Sequence, residues 1–134
     1  MGNTIEHKPI PDDVEKLAKE AVNAAFRVHN SLGPGLLESV YEACLAYEIR
    51  KQGLGVQTQF AFPVIYEQVH LETGLRIDLL VEEKLIIEVK AVEMLMPIHD
   101  AQLITYLRLT NCRLGLLINF NVKRIKQGIK RIVL

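Results

Sequence analysis

The chain has 134 residues, 49% of them hydrophobic and 24% charged, enough for one globular domain (1–134) with a substantial core and too few for two. Lysine plus arginine and aspartate plus glutamate number 16 each, so no global field draws the molecule to a polyanion, and any nucleic-acid contact must come from a local patch. Met1 to Asp13 is polar and no apolar run is long enough to span a bilayer, so neither a secretory signal nor a membrane contact is expected, and a cytoplasmic protein is.

In chain order, Val14, Leu17, Ala18, Ala21, Val22, Ala25 and Val28 recur at three- and four-residue steps, which predicts a helix from Asp12 to Ser31, N-capped by Asp12 or Asp13 and ended by Gly33-Pro34-Gly35. A second helix is expected to start near Leu36, to carry Val40, Tyr41, Cys44, Leu45 and Ile49 inward, and to stop at Gly53 and Gly55. Val56 to Ile65 and Leu75 to Val92 read as antiparallel strands, with turn-like clusters at Glu72-Thr73-Gly74 and Glu82-Glu83-Lys84. Helical spacing returns from Pro97 to Asn111 through Ala101, Ile104 and Leu107. Arg113 to Phe120 follows as a short buried strand, and Gly128 to Leu134 as an edge strand. Cys44 and Cys112 are far apart with no C-x-x-C spacing, so they are read as buried thiols rather than zinc or iron–sulfur ligands.

The second of those clusters matters for chemistry. A three-residue loop at Glu82-Glu83-Lys84 sets Val81 against Leu85, Leu80 against Ile86 and Asp78 against Glu88. Facing Cβ atoms in an antiparallel pair are about 4.5–5.5 Å apart, where like charges repel. A divalent cation between the two carboxylates relieves that repulsion, magnesium being a hard ion that prefers oxygen ligands. Alternation also puts Glu88 and Lys90 on one face while Leu85, Ile87, Val89 and Ala91 fill the core. The plainer alternative is a solvated strand face, against which stands the apolar character of the flanks, where unpaired charges are costly. The loop is the weak point, because three-residue hairpins usually place glycine at a left-handed position and this one has none.

Gly74-Leu75-Arg76-Ile77-Asp78, Glu88-Val89-Lys90 and Gln102-Leu103-Ile104-Thr105-Tyr106 resemble, in order, the G-h-x-x-D, (D/E)-h-K and Q-x-x-x-Y motifs of RecB-type nucleases. Earlier, Gly35-Leu36-Leu37-Glu38-Ser39-Val40-Tyr41 resembles the signature of the GxxExxY proteins, within the PD-(D/E)XK superfamily. The resemblance implies an α/β, restriction-endonuclease-like core, a central mixed sheet flanked by helices. It implies Mg2+ or Mn2+ held by Glu38, Asp78, Glu88 and the carbonyl of Val89, with Lys90 orienting the attacking water or stabilising developing charge. Gln102 and Tyr106 would contact the substrate backbone, DNA being the expected substrate.

Each residue also has a plainer reading. Glu38 in a first turn complements the helix dipole; Gln102 and Tyr106, with His99 one turn before, could be an ordinary polar stripe; Tyr41 is read as packing. Arg108, Arg113, Lys123, Arg124, Lys126, Lys130 and Arg131 form the candidate phosphate-binding surface, or a solvated face. With no aromatic interleaving, backbone reading without sequence specificity is expected. The rival functions are a nuclease-fold module that binds nucleic acid or a targeting protein without cutting, and a homodimer built on the exposed C-terminal strand.

Overall fold

The computed structural model describes residues 8–134, so the greater part of the polar N-terminal stretch lies outside the described residues. Helix α1 spans Asp12–Leu32, with Pro11 rather than an aspartate at its N-cap. It ends where Gly33, at φ 69°, donates its N–H to His29 O at 2.8 Å. Helix α2 spans Glu38–Lys51, starting two residues later than its apolar pattern suggested. Val40 is 37% exposed and not part of the core, whereas Tyr41, Leu45 and Ile49 are buried. Tyr41 is structural: its hydroxyl donates to Gly33 O at 2.6 Å and accepts from Leu36 N–H at 3.1 Å, and its ring stacks on Phe120.

Strands β1 (Val56–Tyr66), β2 (Val69–Val81) and β3 (Leu85–Lys90) run antiparallel in sequence. Helix α3 (Pro97–Thr110) then crosses over to β4 (Leu114–Asn119), parallel to β3. A 3-10 turn (Ile125–Gly128) leads into β5 (Ile129–Val133), antiparallel at the far edge. The result is a five-stranded mixed sheet in the order β1-β2-β3-β4-β5. Leu79, Val81, Leu85, Ile87 and Val89 pack on one face beneath α1 and α2. On the other face Ile77, Leu80, Ile86 and Leu117 pack against Leu103 and Leu107 of α3, whose Ala101 is exposed. Cys112 is buried and Cys44 half-buried.

One expected turn is not a turn. Glu72-Thr73-Gly74 lies inside β2, and the reversal comes earlier, at Glu67-Gln68. Gly74 is there for another reason: a Cβ on it would meet Val64 Cγ2 at 2.2 Å, beside the register shift between Phe62 and Val64. Glycine at a bulge permits that backbone approach. The second turn does form at Glu82-Glu83-Lys84, with Val81 opposite Leu85 and Lys84 N–H donating to Val81 O at 3.0 Å. Lacking glycine, the chain holds two glutamates left-handed, Glu82 at φ 51° and Glu83 at φ 58°. Glu82 is braced by Gly55, donating its N–H to the glycine carbonyl at 2.9 Å and accepting the glycine N–H on Oε2 at 3.2 Å.

Candidate active site

The β2–β3 ladder pairs Val81 with Leu85, Leu80 with Ile86 and Leu79 with Ile87, and then stops. The next pair in register is Asp78 and Glu88, and here side chains take over from the backbone. Asp78 N–H donates to Glu88 Oε2 at 3.0 Å, and Val89 N–H donates to Asp78 Oδ2 at 2.9 Å. The β1–β2 ladder is interrupted at the same point, since Thr58 pairs with Leu79 and Phe60 with Ile77 but Gln59 and Asp78 do not pair. Gln59 has a left-handed φ of 48°. Alternate residues of a strand share a face, yet Val56 serves the core under α1 and α2 while Phe60 packs on the α3 side. The strands therefore turn over at Gln59 and Asp78, and this opens the sheet where the carboxylates stand.

Glu88 is only 4% exposed. Burial, first, and then the charge of Asp78 and a hydrogen bond with it push its carboxyl up to about 9, while the Asp78 N–H and Lys90 pull the other way. The Glu88 carboxyl thus carries a proton at neutral pH when no cation is near. Lys90, half-buried, follows two residues on along the same strand. Glu38, the first residue of α2, reaches the same place, its Oε2 accepting from Ala91 N–H at 3.3 Å. From α3, Tyr106 faces the pair: burial, then the charges of Glu88 and Asp78, raise its hydroxyl above the usual tyrosine value. Gln102, one turn earlier, is exposed. His99 is occupied locally, its Nδ1 accepting from Met96 N–H at 2.9 Å in the N-terminal cap of α3.

Two residues join the site without having been singled out in the sequence. Glu42 lies one turn after Glu38 on α2, so the four-residue spacing was a readable signal. Its carboxyl is raised by burial and by Asp78 and Glu38, and lowered by a hydrogen bond from Gln59. Gln59 offered no signal, because its place depends on the break in β1. Asn119 also went unremarked inside an apolar strand. It is buried, and it grips the segment leaving Lys90, accepting from Val92 N–H at 3.1 Å and donating to Val92 O at 2.9 Å.

Among the described residues no three His, Cys, Asp or Glu side chains already close around a point that could hold an ion. Asp78, Glu88 and Glu38 each accept a backbone N–H on one oxygen, which leaves each carboxylate further lone pairs. The donor chemistry nevertheless suits a hard dication. It consists of carboxylate oxygens, one of them buried and neutralised by a proton that a cation would replace. The Val89 N–H points to the β2 side, and in an extended strand its carbonyl shares that edge.

A family model of the PD-(D/E)XK nuclease superfamily matches residues 15–132, nearly all of the chain. The chain belongs to the PD-(D/E)XK nuclease superfamily. The mixed sheet flanked by helices is accordingly the restriction-endonuclease-like fold of these nucleases, and Asp78, Glu88 and Lys90 stand on its hairpin. Comparison with curated proteins and with solved structures gave no match.

The candidate phosphate-binding surface is narrower than the sequence suggests. Lys130 is paired with Asp100 and Arg131 with Glu15. Arg113 donates to the carbonyls of Leu134, Pro9 and Lys8. Lys123, Arg124 and Lys126 are exposed. They follow Asn119, which lies beside Lys90 in the parallel β3–β4 pair, so they leave the sheet at the end that carries the carboxylates. No helix among the described residues is long and apolar enough to cross a membrane.

Proposed function

We propose that this chain is a nuclease of the GxxExxY group that hydrolyses phosphodiester bonds of DNA with Mg2+ or Mn2+. The observation that carries the reading is the buried Glu88 carboxyl set against Asp78, with Lys90 two residues on, at the point where two ladders break. A buried carboxyl facing a second carboxylate is unfavourable for the fold and is expected at sites whose chemistry requires it.

Asp78, Glu88, Glu38 and the Val89 carbonyl are the groups that would hold the ion, which when bound polarises the phosphate and acidifies water. Lys90 provides a fixed positive charge beside them for the charge that develops on the reacting phosphate. Tyr106 and Gln102, on the α3 side, would bind the substrate backbone, and the Lys123–Lys126 segment would neutralise neighbouring phosphates. A homodimer or a targeting protein would find more exposed apolar surface on the outer β1–β2 hairpin, at Ile65, Tyr66, Val69 and Leu71, than on the C-terminal strand β5, whose Ile132 is buried.

The test is incubation of purified protein with linear, circular and single-stranded DNA, and with RNA, in the presence of Mg2+ or Mn2+. Metal-dependent cleavage that Asp78→Ala abolishes is expected. The engagement of Asp78 and Glu88 by backbone N–H groups favours a second reading, a domain that binds nucleic acid without cutting it. Binding of every substrate with cleavage of none would establish that one.

A further inference from the structure

We infer that Gln59 is a positioning residue for Asp78, anchored for that purpose by Glu42; the inference rests on the metal-site reading above and extends it to two residues outside the superfamily motifs. Gln59 Nε2 is 3.0 Å from Glu42 Oε1, 2.8 Å from Glu42 Oε2 and 3.2 Å from Asp78 Oδ1. An amide nitrogen has two hydrogens and no acceptor capacity. One hydrogen is therefore given to Glu42 and one to Asp78, and a single neutral group bridges two carboxylates that would otherwise repel.

Both oxygens of Asp78 are then held, Oδ1 by the Gln59 amide and Oδ2 by Val89 N–H. That fixes the rotation of the carboxylate and leaves each oxygen a further lone pair for a cation. Groups that orient a ligating carboxylate in this way typically change metal affinity or activity about ten- to a hundredfold when removed.

The backbone at Gln59 is a second, independent observation. A φ of 48° is the left-handed region, where glycine is strain-free and a side chain with a Cβ is not. Nothing in its surroundings requires a glutamine for packing, because the residue is exposed. The fold alone would favour glycine; the amide that reaches Asp78 is what glycine lacks. Strain kept at a site by a side chain with one specific set of contacts is a reason to look for function there.

The test compares the parent with Gln59→Gly and Gln59→Met by thermal melting, by Mn2+ titration calorimetry and by amide hydrogen exchange of Val89 without metal. Gln59→Gly, which removes the donor and the backbone strain together, should bind Mn2+ about tenfold or more weakly. Gln59→Met, which keeps the strain and the length but not the donor, should show the same loss of affinity, with thermal melting showing that both variants are folded. In both variants the Val89 amide should exchange faster, because its acceptor is no longer held. Parental Mn2+ affinity or parental Val89 protection in Gln59→Met overturns the inference. A parent that takes up no Mn2+ refutes the metal site itself, and Val89 exchange still decides whether Gln59 orients Asp78.

Discussion

At Glu88 the direction of the pH effect follows from the raised carboxyl. Below its ordinary value of 4.5 the group is protonated in both folded and unfolded chains, so its full contribution is present. Above that, the unfolded chain releases the proton while the folded one keeps it until about 9, so metal-free stability falls as pH rises through this window. The slope is at most one proton, about 1.4 kcal/mol per pH unit. Glu88→Gln, neutral at every pH, should flatten that decline in urea titrations across the window. Because a cation must displace the same proton, Mn2+ affinity should rise by up to about tenfold per unit between about pH 6 and 8, and a pH-independent affinity would remove Glu88 from the ligand set. Lys90 makes a different prediction. As a cation it cannot be a ligand, so Lys90→Ala should fold and bind Mn2+ as the parent does but cleave about a hundred- to a thousandfold more slowly, roughly 3–4 kcal/mol in the barrier. Undiminished cleavage in a contaminant-free preparation would rule that role out. These residues were readable because a period of two and an odd loop fix which side chains meet. Gln59 was not, because a left-handed residue in mid-strand leaves no mark on hydrophobic alternation.

Among the elements, the β2–β3 hairpin sets the register of the site, and its turn is built from unfavourable residues. Glu82 and Glu83 both occupy the left-handed region, at roughly 1–2 kcal/mol each for a residue with a Cβ. Glu82 recovers part of this through Gly55. Glu83 is exposed, so Glu83→Gly should raise the stability, by about 0.5–1 kcal/mol after allowing for the greater freedom of glycine in the unfolded chain. The urea midpoint should move up with an unchanged slope, and cleavage should be unaffected because the register is kept. A lower midpoint would mean that the Glu83 side chain makes a contact the turn depends on. The register itself could be read from the sequence despite the missing glycine, since a one-residue slip would turn Leu85, Ile87 and Val89 out of the core. Glu72-Thr73-Gly74 was misread for the converse reason: its glycine answers a clash with Val64 across the strands, which no local pattern reveals. Val40 and Ala101 show the same limit within helices, where three- and four-residue spacing identifies a face more securely than the residues at its edge.

For the whole molecule, charge is the property that sequence reading resolved least, because pairing depends on folding. The chain is neutral overall, and of the basic residues near its C-terminus Lys130 and Arg131 are matched by Asp100 and Glu15, acids that lie far away in sequence. A lysine already paired has fewer counter-ions to release, so it adds little to the salt dependence of binding. Lys123, Arg124 and Lys126 are exposed and leave the sheet beside Lys90, at the end where a phosphodiester must lie if Asp78 and Glu88 act on it. Each phosphate contact contributes nearly one unit to the slope of log affinity against log salt on duplex DNA. Replacing Lys123, Arg124 and Lys126 together by glutamine should therefore weaken DNA binding at low salt and flatten the slope by about two to three units. Replacing Lys130 and Arg131 in the same way should change the slope by less than about one unit. Fluorescence anisotropy with a labelled duplex at several salt concentrations makes the comparison, with Asp78→Ala as background so that no substrate is consumed. If the Lys130 and Arg131 pair carries the larger share of the slope, DNA lies along the β5 edge, and the path past Lys123 to the carboxylates is wrong.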